Sequence, residues 1–384
     1  MDATTTTRWD DFIDGYVVPV RTTQIQALHS DYIQQKESIA AGIVRIVDEV
    51  CIDAVYRQSQ GEMGACAFIR ISWLRTPMLY GKMTYVMEAL DEEAVQGYPP
   101  FTLTSFNYEA TWIVHHLAPW VSTCHGELIR HRGGIAPSSW ESWIRQGMAP
   151  FQEYMVHAVR YAINRIQKLV SYQTLLKAET FEMVVGEYGD ATLGESVYLN
   201  KKQQKSDEGT QKLMQSRVSK PKMYSHLTYV DLSAGSYGAR RWNYLRAEQV
   251  NFSHSNMRES VLIGIKFEQC NCQGCDFSGS TMYDADFRDS DLSGACLDHI
   301  IGERDQMNAT KSKMLGLYGM QFQGANLSGA SFREARVAGD FRYAHLEGVD
   351  FTGADLTGST MLVQDGVQLH LSEDQMFQVT WLKM

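Results

Sequence analysis

Two clusters of side chains in this 384-residue chain could ligate a metal or do acid–base chemistry. The first holds His115, His116, Cys124, His125, Glu127 and His131. Cysteine and histidine are the usual zinc donors. Their spacing here matches neither an HExxH nor a CxxC pair. Adjacent histidines on a helix point about 100° apart, so His115 and His116 do not converge easily on one ion. A helix face followed by a polar loop accounts for the group. An enzyme or small-molecule site in this half would lie around Trp112, His115, His116 and His125. The second cluster is Cys270, Cys272 and Cys275 in CNCQGC, which taken alone suggests a metal or redox centre. No phosphate-binding glycine loop and no nucleophile elbow occurs in the sequence. Neither a metal nor a cofactor is expected.

The three cysteines fall inside a regular beat. Phe252, Met257, Leu262, Phe267, Cys272, Phe277, Met282, Phe287, Leu292 and Leu297 recur every five residues. Two places before each stands a mostly small residue, among them Ser255, Ser260, Cys270, Cys275, Ser280, Ala285 and Ser290. A period of five fits neither a helix of about 3.6 residues per turn nor a strand of period about 2. Fixed self-similarity of this kind marks a solenoid. Large and small residues then share a narrow interior. In that phase Cys270, Cys272 and Cys275 all face inward, as small buried hydrophobes without metal. The beat extends back through Leu227, Leu232, Tyr237 and Trp242. It lapses after Leu297 and returns in register at Phe322, Leu327, Phe332 and Val337, which irregular coils with a bulging corner at Gly302 to Lys313 explain better than a random loop. One four-residue step, Val337 to Phe341, then shifts the phase through Leu346, Phe351, Leu356 and Met361.

The segments GCDFSGS, DADFRDSDLSGA and GANLSGASF resemble the pentapeptide-repeat family. That resemblance implies a right-handed β-helix of quadrilateral section, with four units per coil. It also brings an alternative function, since quinolone-resistance members are known for binding DNA gyrase as acidic mimics of DNA. Asp276, Asp286, Asp291, Asp340, Asp350 and Asp355 stand just before central positions and form the candidate acidic interaction face. Equally, such aspartates serve solubility and hydrogen-bond the corner turns.

The first two hundred residues read as mainly helical. Ile39, Ile43, Ile46, Val47, Val50 and Ala54 form one apolar stripe in a helix from about Gln24 to Tyr56. CAFIRISWL and MLYGKMTYVM have strand character and suggest a hairpin. Phe106 to Leu117 reads as a short helix ending before Pro119. A further helix is signalled by Ser138 to Glu141, an interruption at Gly147 to Pro150, and the stripe from Phe151 to Leu169.

The expected organisation is a helical domain over 1–200, a polar linker over 201–221, the β-helix over 222–363 and a closing segment over 364–384. In that last segment Ser372 to Gln375 reads as a capping box. Met376, Phe377, Val379, Trp381 and Leu382 are apolar enough to cap the solenoid or pair two copies as a homodimer. The net charge is −10. From Ser225 onward 20 Asp and Glu face 13 Lys and Arg, which disfavours direct nucleic-acid binding. No apolar run reaches the length of a membrane span, the N-terminus lacks signal-peptide character, and seven scattered cysteines suggest reduced thiols. A cytoplasmic protein is expected. The leading functional expectation is a non-enzymatic interaction or scaffold protein whose helical domain binds a protein partner while the acidic β-helical rod serves as a rigid recognition or spacing surface. A type II topoisomerase is the partner implied by the resemblance.

Overall fold

The computed structural model describes residues 15, 17–96, 105–130, 137–189, 194–201, 226–304 and 316–383. They fall into two compact units divided after Lys201. The linker expected at 201–221 lies, but for Lys201 itself, outside the described residues.

The first unit is built on helix α1, Val18–Ser59. It begins with Pro19 in its first turn, where the missing N–H costs nothing, and its stripe from Ile39 to Ala54 is buried. Two further helices, α2 (Thr111–Arg130) and α3 (Pro137–Ile166), pack against it. The hairpin expectation captured only part of a five-stranded mixed sheet. Strands β1 (Cys66–Trp73), β2 (Thr84–Asp91), β3 (Phe106–Glu109), β4 (Lys177–Glu187) and β5 (Glu195–Lys201) lie in the order β3-β2-β1-β4-β5. β1 and β2 pair antiparallel as expected, while β1 and β4 run parallel.

Two helix boundaries are corrected. Phe106 opens strand β3, and the helix starts at Thr111 and continues through Pro119. Gly147 and Pro150 do not interrupt α3. Gly147 serves a close approach instead: a Cβ there would stand 2.6 Å from Cη2 of Trp120 on α2.

The second unit is a stack of parallel coils. His226 pairs with Arg246, Asp231 with Asn251, Ser236 with Asn256 and Arg241 with Val261. Pairing partners are thus twenty residues apart along four ladders set five residues apart. Each corner has a residue at positive φ, such as Tyr229, Ala234 and Ala239. Such angles suit glycine, and Gly274 and Gly279 take two of these corners. Every central residue from Leu232 to Leu297 is buried, and their aromatic rings stack down the axis, as Phe252 does on Phe267 at 4.8 Å.

The lapse is an insertion between Gly302 and Met320, at the corner where a bulge was expected, and the coils on either side of it stay regular. Asp286 pairs with Gln321, Asp291 with Asn326 and Cys296 with Ser331, each 35 residues apart. One coil therefore carries fifteen additional residues, and the ladders resume without loss of register. Residues 305–315 of that insertion lie outside the described residues. The later phase shift is also visible, since Asn326 pairs with His345 and Ser331 with Asp350, nineteen apart.

Candidate functional site

In the first unit a cleft of about 320 Å³ opens between α1 and α2. It is lined by Leu28, Asp31, Tyr32, Gln35 and Ile39 of α1 and by Thr111, Trp112 and His115 of α2. Trp112 is half-buried, and its indole N–H donates to the Tyr108 hydroxyl at 3.1 Å. Its ring lies 5.6 Å from that of the buried Tyr32. His116 turns away from the solvent and is buried, with Nε2 2.9 Å from Oδ2 of Asp31. His115 is exposed at the mouth, its ring perpendicular to that of His116. Of the four residues expected to mark a site in this half, the structure therefore brings Trp112 and His115 to one cleft, with His116 behind it. His125 is nine residues further along the helix, or about 14 Å, and packs near Tyr80 instead. Asp31, Tyr32 and Gln35 were not legible as site residues, because nothing in the sequence joins α1 to α2. No group of three or more His, Cys, Asp or Glu converges on a metal position among the described residues. His131 and the side chain of Glu127 lie outside them.

In the second unit the six aspartates do not share one face. Asp286 and Asp340 belong to one ladder, and Asp276 and Asp350 to a second. Asp291 and Asp355 lie on the remaining two. Each accepts a backbone N–H from the residue two places on, at 2.9 to 3.2 Å. Four of them also pair with arginine: Asp276 with Arg258, Asp286 with Arg288, Asp340 with Arg342 and Asp350 with Arg333. These six aspartates are thus engaged in corner turns, four of them also in local ion pairs, and they are spread over all four ladders.

The small inward positions carry a polar pattern that size alone does not reveal. Ser280 Oγ donates to Met257 O at 2.9 Å and accepts the Ser260 N–H at 3.0 Å. Ser255, Ser290 and Ser359 repeat this stitch between coils. The thiols of Cys270 and Cys275 take the same slot and donate to Ala247 O and Phe252 O. Burial pushes the Cys270 thiol up to about 11 and the Cys272 thiol well above its ordinary value. These cysteines are structural.

A family model described as pentapeptide repeats matches eight copies, over residues 248–282, 260–298 and 317–359. The C-terminal region of this chain is a pentapeptide-repeat domain. Solved structures similar to it include QnrB1, a plasmid-mediated fluoroquinolone resistance protein, at 16% identity. That match covers 44% of this chain and 76% of QnrB1, with a TM-score of 0.22. Another is the pentapeptide-repeat protein Rfr23 from the cyanobacterium Cyanothece 51142, at 18% identity over 38% of this chain and 92% of Rfr23, TM-score 0.18. A third is HetL, involved in heterocyst differentiation regulation in the cyanobacterium Nostoc sp. strain PCC 7120. It shows 16% identity over 36% of this chain and 90% of HetL, TM-score 0.09. Scores this low describe no shared superposition, and the family assignment rests on the repeat match. Curated proteins give no match.

The pentapeptide-repeat stack is closed by its own tail. Helix α4, Glu373–Gln378, opens with the expected capping box between Ser372 and Gln375. Gln375 Nε2 donates to Phe351 O and Ala354 O, satisfying carbonyls of the last turns. Val379 is buried, and Thr380–Leu382 pairs parallel with Thr360–Leu362. Trp381 Nε1 donates to Met376 O. Phe377, by contrast, is 89% exposed, and Met376 and Leu382 are exposed beside it.

Proposed function

We propose that the chain is a non-enzymatic interaction protein whose pentapeptide-repeat domain is a rigid display surface for a protein partner. The quadrilateral, right-handed form expected of the family gives such a domain four flat sides. One observation carries the choice of side. On the ladder of Asp286, Gln321 and Asp340, the guanidinium groups of Arg288 and Arg342 are each clamped by the aspartate two residues earlier. Gln323 stands between them and donates to Asp340 Oδ2 at 2.7 Å. Tyr343 is 63% exposed beside Arg342. Arginine and tyrosine dominate binding hot spots, and side chains already held in one conformation lose less freedom on binding. Coils about 4.8 Å apart place these groups on a regular grid.

The tail carries a second role in this reading: Met376, Phe377 and Leu382 pair two copies end to end, while Val379 and Trp381 close the coil. A two-fold homodimer covers that exposed apolar group. Charge reversal tests the display surface. The pair Arg288→Glu and Arg342→Glu, with circular dichroism unchanged, is expected to lose the partner that the parent chain captures from its native lysate. Retention of that partner by the doubly reversed chain contradicts the assignment.

A further inference from the structure

We infer that the cleft between α1 and α2 binds a small organic cation bearing an aromatic or other apolar group. This goes beyond the display role, which needs no small ligand. Asp31 is the only carboxylate among the residues that line the cleft, and they include no lysine or arginine. Its side chain is 45% exposed and its Oδ2 is held by His116, whose own side chain is 6% exposed. A buried imidazole that donates to one carboxylate oxygen fixes the group and leaves the other oxygen for a ligand N–H.

The walls agree with the charge. Trp112 and Tyr32 supply aromatic surface, and the indole is oriented by its bond to Tyr108. Aromatic faces attract cations, most strongly tryptophan. Leu28 and Ile39 are buried apolar residues suited to the ligand's body, and Gln35 and Thr111 offer hydrogen bonds at the exposed rim. The volume lies at the lower end of small-molecule pockets, which matches a ligand of one ring and a short chain. An anionic ligand would meet Asp31 with no lysine or arginine among the lining residues to offset it.

The probe is 2-phenylethylammonium, titrated into the full chain by calorimetry while the Trp112 indole N–H resonance is followed. Phenylacetate and 2-phenylethanol are the anionic and neutral controls. Saturable binding of the ammonium alone is expected. Asp31→Asn preserves an oxygen acceptor for His116, and it should weaken binding about tenfold, or about 1.4 kcal/mol. Gln35→Lys, at an exposed rim position, should weaken it without disturbing the core. The inference is overturned by no saturation below about 10 mM, by equal binding of either control, or by unchanged affinity in Gln35→Lys or a folded Asp31→Asn.

Discussion

At the residue scale, the five-residue beat made the inward positions legible, including all three cysteines of CNCQGC. What it could not show is that inward serines are stitches as well as space-fillers, because Ser, Ala and Cys all satisfy the size requirement. Two predictions follow the stitch. Ser280→Ala leaves the Ser260 N–H and the Met257 carbonyl without their partner. It should lower stability by about 1–3 kcal/mol in denaturant titration. Cys275→Ser keeps a donor toward Phe252 O and should change stability by less than about 1 kcal/mol. The thiols give a separate expectation. Burial holds Cys51, Cys66 and Cys124 up to about 12, and Cys270 up to about 11. Cys296 is the one cysteine that is only partly buried. An aromatic disulfide reagent at about pH 8 should therefore modify Cys296 first in the native chain, with the other six reacting on denaturation. Rapid reaction of Cys270, Cys272 and Cys275 would contradict their inward placement.

At the scale of elements, the sequence disclosed the long stripes of α1 and α3 and the pairing of β1 with β2. It hid β4, whose partner β1 lies more than a hundred residues earlier, and β5, which pairs antiparallel with β4 and has no place without it, as well as the strand-to-helix break at Ala110, which carries no glycine or proline. Glycine misled at 147 because its cause is tertiary: Trp120 occupies the space a side chain would need, while Pro150 is carried within the helix without ending it. Gly147→Ala should accordingly destabilise the first unit by about 1–3 kcal/mol, although alanine is the better helix former. A gain in melting temperature would refute the close approach. Strand β2 supplies a pH test. Glu88 is buried opposite Arg70, and burial raises its carboxyl, Arg70 acting weakly against that. A carboxyl raised on folding keeps its proton longer in the native state, so stability falls as pH climbs from the unfolded value through the folded one. Glu88→Gln should therefore stabilise the chain near pH 7 and leave it unchanged below about pH 4. Equal effects at both would show that Glu88 is not raised.

For the whole molecule, the repeat domain was legible because each unit repeats one packing problem, and its insertion showed as a lapse whose length, a multiple of five, left the register unchanged. The candidate surface was legible only in part. Asp286 and Asp340 were singled out for their charge, yet the structure uses them to hold Arg288 and Arg342. The homodimer proposal predicts that the full chain sediments at twice its 43.5 kDa mass. Phe377→Ser should give a monomer, since Phe377 is exposed and its loss leaves the capping contacts of Gln375 and Val379 intact. A full chain that is monomeric at micromolar concentration removes the dimer and leaves only the cap. The display of one side to a protein partner is tested most directly by a photo-crosslinking amino acid placed on each side in turn. Tyr343 reports the Arg288–Arg342 side, and Glu347, Thr352 and Thr357 report the other three ladders, all four being exposed. Crosslinks to a single partner protein confined to position 343 are the predicted result. Crosslinks spread evenly over the four positions, or absent from position 343, would contradict it.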